Sequence, residues 1–136
     1  MSDTSTNEQS FQPLNRRSNS MYQVTFSEQS MTELNKLDME DQLKLIDIVS
    51  NITPEMLEKP KEPIGRFKRG SRTYYRVRAG EFRCYFEIKN DILYSHYILH
   101  KNTLTDYVFR NKLPIKDEQL VEQNQSFWKY LENLTK

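Results

Sequence analysis

The chain has 136 residues, 36% hydrophobic and 29% charged, with a formal net charge of +1, which suits one domain with a modest core. Its only cysteine, Cys84, excludes an internal disulfide and a cysteine-based metal cluster, and no apolar run approaches the ~20 residues that a membrane-spanning helix needs. We therefore expect a cytoplasmic protein without membrane contact, metal or other cofactor.

The N-terminal part of the chain predicts a tail, one strand and a helical hairpin. Residues 1–20 are dominated by Ser, Thr, Asn and Gln and are predicted to be a disordered tail. Alternation of apolar and polar residues predicts a strand over residues 22–26. Apolar residues at helical spacing over residues 31–37, and again over residues 43–49, predict two antiparallel helices. The second would start at Asp38 or Asp41 and end near Asn51. A short further turn, which Thr53 would cap, is expected before the next loop.

Three strands and a C-terminal helix complete the predicted fold. Two prolines and a glycine mark residues 59–65 as a loop. Tight turns join the three strands of an antiparallel meander: residues 73–79, 82–89 and 92–99. Packing of this sheet on the hairpin gives an α+β fold. After His100 the pattern is irregular until residue 114, and apolar spacings then predict an amphipathic helix within residues 117–134.

Charge is segregated along the chain. Positions 59–78 carry eight basic residues against one acid, whereas residues 21–58 carry eight acids against two lysines. In the first strand of the meander, alternation places Arg76 and Arg78 on one face. With Arg83 after the turn, these arginines would repel one another unless a polyanion or an acidic partner sat among them. The pattern favours an anionic partner over a merely solvated, charged sheet edge.

Further residues are candidates for contact with phosphates. Lys68, Arg69 and Arg72 are interleaved with aromatic residues that suit stacking on bases. His100 and Lys101 lie just past a predicted strand end, where either a site or an ordinary surface pair is expected. The sequence has no P-loop, no histidine pair at metal-binding spacing and no serine nucleophile elbow.

The order of elements and one motif carry a resemblance to a known family. Residues 75–83 read Tyr-Arg-Val-Arg-Ala-Gly-Glu-Phe-Arg, and His100-Lys101-Asn102 and Tyr107 follow the last strand. Over residues 22–110 the chain resembles the RelE/ParE toxin superfamily, and its RelE-like branch in particular. The resemblance implies a RelE-like domain over residues 21–112, with two helices packed on a twisted antiparallel sheet. Residues 113–136 would form a C-terminal helical extension outside it.

The resemblance also implies an activity. RelE-like toxins of toxin–antitoxin systems are ribosome-dependent messenger RNA endoribonucleases that need no metal, and an antitoxin neutralises them. Carried over by motif, Arg76 or Arg78 would ease deprotonation of a ribose 2′-hydroxyl or stabilise the developing charge. Arg83 would hold the phosphate oxygens, and Tyr107 would stack on or orient a base.

One departure from the family pattern keeps a second function open. Asn102 stands where RelE-like enzymes often carry another arginine, so a positive charge beside the leaving oxygen is missing. This departure, the near-neutral net charge and the extra helix favour a non-catalytic RelE-fold protein that binds RNA, the ribosome or an acidic protein. A ParE-like gyrase inhibitor is less favoured, because Arg83 and Tyr107 match the nuclease pattern.

Overall fold

The computed structural model describes residues 21–112 and 118–134. The predicted tail at residues 1–20 and the proposed boundary at residue 113 lie outside these ranges. The N-terminal elements are β1 (Gln23–Phe26), α1 (Glu28–Asn35), α2 (Met39–Ser50) and α3 (Pro54–Glu58). The sheet continues with β2 (Ile64–Arg69), β3 (Arg72–Ala79), β4 (Phe82–Lys89) and β5 (Ile92–His100). The remaining helices are α4 (Lys101–Arg110), α5 (Glu118–Glu122) and α6 (Gln125–Asn133).

Side-chain oxygens cap the N-terminal helices. Ser27 and Asp38 each accept a hydrogen bond from the backbone N–H three residues later, at the first turns of α1 and α2. Thr53 does the same for α3, whose first residue, Pro54, has no N–H to satisfy. None of the described helices is long and apolar enough to cross a membrane.

The described strands form one five-stranded sheet in the order β1-β5-β4-β3-β2. Strands β2 to β5 are an antiparallel meander, and β1 pairs in parallel with β5. The predicted α+β fold is confirmed. Strand β2 was not predicted, because only Ile64 and Phe67 among its six residues are buried, and the charged residues around them obscure the alternation.

Both faces of the sheet are covered, and each cover forms a hydrophobic core. On the first face the hairpin packs on apolar residues of the strands, including Val77, Ala79, Cys84 and Ile98. On the second face the core contains Phe67, Tyr74, Tyr85, Tyr97 and Leu99 of the sheet with Leu104, Tyr107, Val121, Phe127, Trp128 and Leu131 of the helices. The C-terminal segment is therefore part of the packed molecule.

Two helical assignments differ from the sequence prediction. Residues after His100 were predicted to be irregular, but they form α4, which His100 caps by accepting from the Asn102 N–H. Only Leu104 and Tyr107 of α4 are buried, so its apolar periodicity is weak. The predicted C-terminal helix is interrupted: α5 ends at Glu122, and Asn124 caps a new helix, α6.

Candidate functional site

The predicted arginines lie together on the second face of the sheet. We call this surface the arginine face, and it carries Arg69, Arg72, Arg76, Arg78 and Arg83. Arg78 lies directly opposite Arg83 in the β3–β4 register, and Arg69 lies opposite Arg72 in the β2–β3 register. The alternation expected for Arg76 and Arg78 is confirmed, because Val77 between them packs on the other face.

Arg76 is completely buried at the centre of this face. Its side chain has 0% exposure, and its Nε donates to both carboxylate oxygens of Glu122 at 3.1 Å. One terminal nitrogen also donates to the Pro63 carbonyl at 2.6 Å and to Glu62 at 3.2 Å. Burial opposes the charge, but the Glu122 and Glu62 carboxylates outweigh it and raise the pKa of Arg76 above its ordinary value. Arg76 is therefore a charged, paired core residue.

Glu122, at the end of α5, is held from three sides. Besides the contact with Arg76, it accepts a hydrogen bond from the Tyr85 hydroxyl at 2.5 Å. Its backbone carbonyl accepts from the Trp128 indole N–H at 2.6 Å, which ties α5 to α6. Glu122 has 0% exposure, so the ion pair that it forms with Arg76 is closed to solvent.

Helices α5 and α6 form a lid of aromatic and aliphatic side chains over the arginine face, which we call the C-terminal cover. The Trp128 ring is 4.7 Å from Tyr74, 5.6 Å from Tyr85 and 6.0 Å from Phe67, all measured between ring centroids. Phe127 and Leu131 are fully buried beside it. Burial of each such side chain contributes roughly 1.5–3 kcal/mol. The cover is thus attached by packing as well as by charge.

Arg78 and Arg83 lie nearer the edge of the cover. Arg78 keeps 29% of its side chain exposed and pairs with Glu62 at 3.0 Å. Arg83 is buried, and one terminal nitrogen donates to the backbone carbonyls of Gly80 and Phe82 at 2.9 and 3.0 Å. Gly80 occupies the left-handed region with φ of 62°, a conformation that a glycine adopts without strain. The hydrogen bonds from Arg83 stabilise this turn.

Tyr107 does not join the arginines. It is buried in α4, its hydroxyl lies 2.6 Å from Ser126 Oγ of α6, and its ring is 5.5 Å from that of Phe127. Within the described residues, none of its side-chain hydrogen bonds or ring contacts involves an arginine. Tyr107 therefore lies in the packing interface between α4 and α6.

The predicted RNA-binding residues separate into two groups. Arg69 and Arg72 are on the arginine face and are paired: Arg69 with Glu132 of α6 at 3.1 Å, Arg72 with Glu87 of β4. Lys68 is exposed and alternates with Phe67, which places it toward the hairpin side of the sheet.

His100 and Lys101 lie at the start of α4. His100 contacts Glu81 at 2.9 Å through Nε2 and caps the helix through Nδ1, so both ring nitrogens have local partners. Lys101 is exposed. These contacts account for His100 as a helix-capping residue.

The carboxylates that match the arginines were not selected from the sequence. Glu62, Glu87, Glu122 and Glu132 neutralise the face from a loop, a strand and two helices. Glu87 is further bonded to His96 at 2.8 Å. One sequence feature could have identified two of them: Glu122 and Glu132 lie in the same amphipathic segment as Trp128. A helix that packs its apolar side on a basic surface is expected to carry acidic residues beside that apolar side. Among the described residues no group of acidic, His or Cys side chains suits a metal ion.

Comparisons with known proteins give distant structural likenesses. No family model matches the chain, and no curated protein does. RelE of the archaeal RelE–RelB complex from Pyrococcus horikoshii is 16% identical, and the match covers 59% of this chain and 94% of that one with a TM-score of 0.49.

Two proteins from E. coli, the toxin RelE and YafQ, give similar matches. A RelE mutant in the free state is 19% identical, with 70% of this chain and 99% of that one covered and a TM-score of 0.44. YafQ is 11% identical, with 61% and 97% covered and a TM-score of 0.40.

The chain is similar in structure to RelE toxins. Likenesses this distant, with TM-scores below 0.5, say nothing about chemistry. The burial and the ion pairs of the arginine face are therefore the basis for the function proposed below.

Proposed function

We propose that this chain is a RelE-fold protein that binds RNA or the ribosome without cleaving messenger RNA while its C-terminal cover is in place. The observation that carries the proposal is the state of Arg76, which has 0% exposure and is bonded to Glu122, Glu62 and Pro63. A guanidinium that stabilises a phosphate transition state must touch the phosphate. In the closed molecule a carboxylate occupies that position.

The other implied roles are also filled within the chain. Arg83 donates to backbone carbonyls of its own turn, and Tyr107 is bonded to Ser126. Asn102 adds no positive charge after the last strand. Each of these contacts would have to be broken before the residue reached an RNA substrate, which argues against cleavage by the closed molecule.

A second candidate is the ribosome-dependent endoribonuclease of a toxin–antitoxin system, with an antitoxin as partner. The observation that favours it is the partial exposure of Arg78 beside Arg83, which leaves one cation of the predicted constellation accessible at the edge of the cover. In this function Arg76 or Arg78 would ease deprotonation, Arg83 would hold the phosphate oxygens, and Tyr107 would orient a base. The C-terminal cover would first have to leave the face.

Induction of the full chain in bacterial cells, with mapping of messenger RNA ends, separates the two functions. Our proposal predicts that transcripts stay intact and that the chain co-sediments with ribosomes or RNA. Cleavage in the ribosomal A site that is lost in Arg78→Ala would establish the endoribonuclease. Arg78 suits this test because it is partly exposed, and circular dichroism of the purified variant checks that it folds.

A further inference from the structure

A cleft on the outer side of the C-terminal cover has the features of a site for anions. It lies between α4 and α6 and has a volume of about 620 Å³. Arg110 and Asn111 line it from the end of α4, and Lys129, Tyr130 and Asn133 line it from α6.

Helical spacing explains why these polar residues share one cleft. On α6, Ser126, Lys129, Tyr130 and Asn133 recur at intervals of three and four, and they form a stripe separate from the buried Phe127, Trp128 and Leu131. On α4, Asp106 and Arg110 are four residues apart on the side that faces this stripe. The cleft-lining stripe of α6 is therefore additional to the residues that attach the cover to the sheet.

The cations of the cleft differ from those of the arginine face in one respect. Arg69, Arg72, Arg76 and Arg78 each pair with a glutamate. Arg110 and Lys129 are exposed, and neither forms an ion pair with any residue in the described ranges 21–112 and 118–134. Two exposed cations thus lie side by side in this cleft, whereas the four arginines under the cover are matched by carboxylates.

Three further lining groups suit nucleic acid. Amide groups of Asn111 and Asn133 offer both donors and acceptors, which base edges and phosphate oxygens require. The half-buried Tyr130 ring is held 5.3 Å from the Tyr107 ring and 6.4 Å from Phe127, so it is a supported aromatic surface. Base–aromatic stacking contributes about 1–3 kcal/mol per base without sequence preference.

We propose that the cleft between α4 and α6 binds single-stranded RNA, with Arg110 and Lys129 on backbone phosphates and Tyr130 stacked on a base. The inference rests on the proposed function and gives it a location. Asp106 lines the same cleft, so its carboxylate repels the phosphates and limits the affinity. An acidic protein segment would use the two cations but would gain no stacking on Tyr130.

The test measures binding of the full chain to a labelled single-stranded oligouridylate of about 12 nucleotides, within the usual site size for such proteins. The double variant Arg110→Ala/Lys129→Ala should bind at least about tenfold more weakly, and its salt slope should fall by about 1.4, the value for two phosphates. The matched control Lys44→Ala/Arg66→Ala removes one lysine and one arginine that are exposed elsewhere, and it should keep the affinity within about twofold.

Two further variants test stacking and charge separately. Tyr130→Leu should weaken binding roughly tenfold while Tyr130→Phe retains it, because only the latter keeps the ring. Asp106→Asn should strengthen binding, since a like charge is removed.

The outcomes separate this inference from the proposed function. If the native chain binds the oligonucleotide but the cleft and control double variants lose affinity equally, or neither does, the cleft is overturned and RNA binding stands. If the native chain binds neither the oligonucleotide nor ribosomes, the proposed function fails, and the cleft fails with it. Binding of polyglutamate in place of RNA would assign the cleft to an acidic protein instead and overturn the inference.

Discussion

Replacing Glu122 by glutamine tests whether the arginine face is closed in solution. The substitution keeps the shape of the side chain but removes the charge opposite Arg76, which has 0% exposure. Loss of one partner from a buried ion pair costs about 3–5 kcal/mol. Glu62 and the Pro63 carbonyl still contact Arg76, so we expect the lower end of that range.

Urea unfolding measures this effect directly. With an m-value of about 2 kcal/mol/M, a loss of about 3 kcal/mol lowers the unfolding midpoint by roughly 1.5 M. Glu33→Gln is the matched control, because it makes the same chemical change in the exposed Glu33–Lys36 pair, where a loss below about 1 kcal/mol is expected. Adding Arg76→Met to Glu122→Gln should restore part of the stability, because the uncompensated buried charge is then removed.

Two results would refute this reasoning. If Glu122→Gln and Glu33→Gln shift the midpoint equally, the Glu122 carboxylate is in water and the cover is open. If the effects of Arg76→Met and Glu122→Gln simply add, the two residues are not coupled.

Three further predictions concern the sheet. Burial opposes the charge of Glu87, but hydrogen bonds from Arg72 and His96 outweigh it and hold the pKa of Glu87 below its ordinary 4.5. Thermal melts should therefore show wild type more stable than Glu87→Gln at pH 7, and the difference in melting temperature should close as the pH falls below 4.5. A difference that does not change with pH would contradict the assignment. Gly65→Ala would place a Cβ 2.9 Å from the Phe67 ring and 3.0 Å from the Arg76 guanidinium. Urea unfolding should therefore show a free energy of unfolding lower by about 1–3 kcal/mol, and unchanged stability would mean that this packing is loose. Burial raises the pKa of Cys84 to about 12, so iodoacetamide, followed by mass spectrometry, should alkylate it only after the chain unfolds. Rapid alkylation of the native chain would contradict the buried position.

The sequence predicted the sheet meander and the hairpin well, because their signals are local. The turns at Gly80 and at Asn90–Asp91, whose residues have positive φ, can be predicted from the residues next to them in the sequence. The same is true of the alternation that places Val77 and Arg76 on opposite faces of the sheet. Strand β2 was missed because an edge strand with charged residues at its exposed positions has little apolar alternation to detect.

The state of the candidate site depends on contacts that are distant in sequence. Arg76 and Glu122 are 46 positions apart, and Arg69 and Glu132 are 63 apart. Residue types alone correctly indicated that the clustered arginines need a negative partner. They did not indicate that glutamates of the same chain would be that partner, since this depends on how the C-terminal segment packs.

The fluorescence of Trp128 tests the central claim most directly, because it is the only tryptophan of the chain and lies at the centre of the C-terminal cover. With 3% of Trp128 exposed, a closed arginine face predicts a native emission maximum shifted well to the blue of the urea-unfolded chain and poor quenching by acrylamide. Native emission and quenching equal to those of the unfolded chain would show that α6 is not seated on the sheet, and would contradict the account.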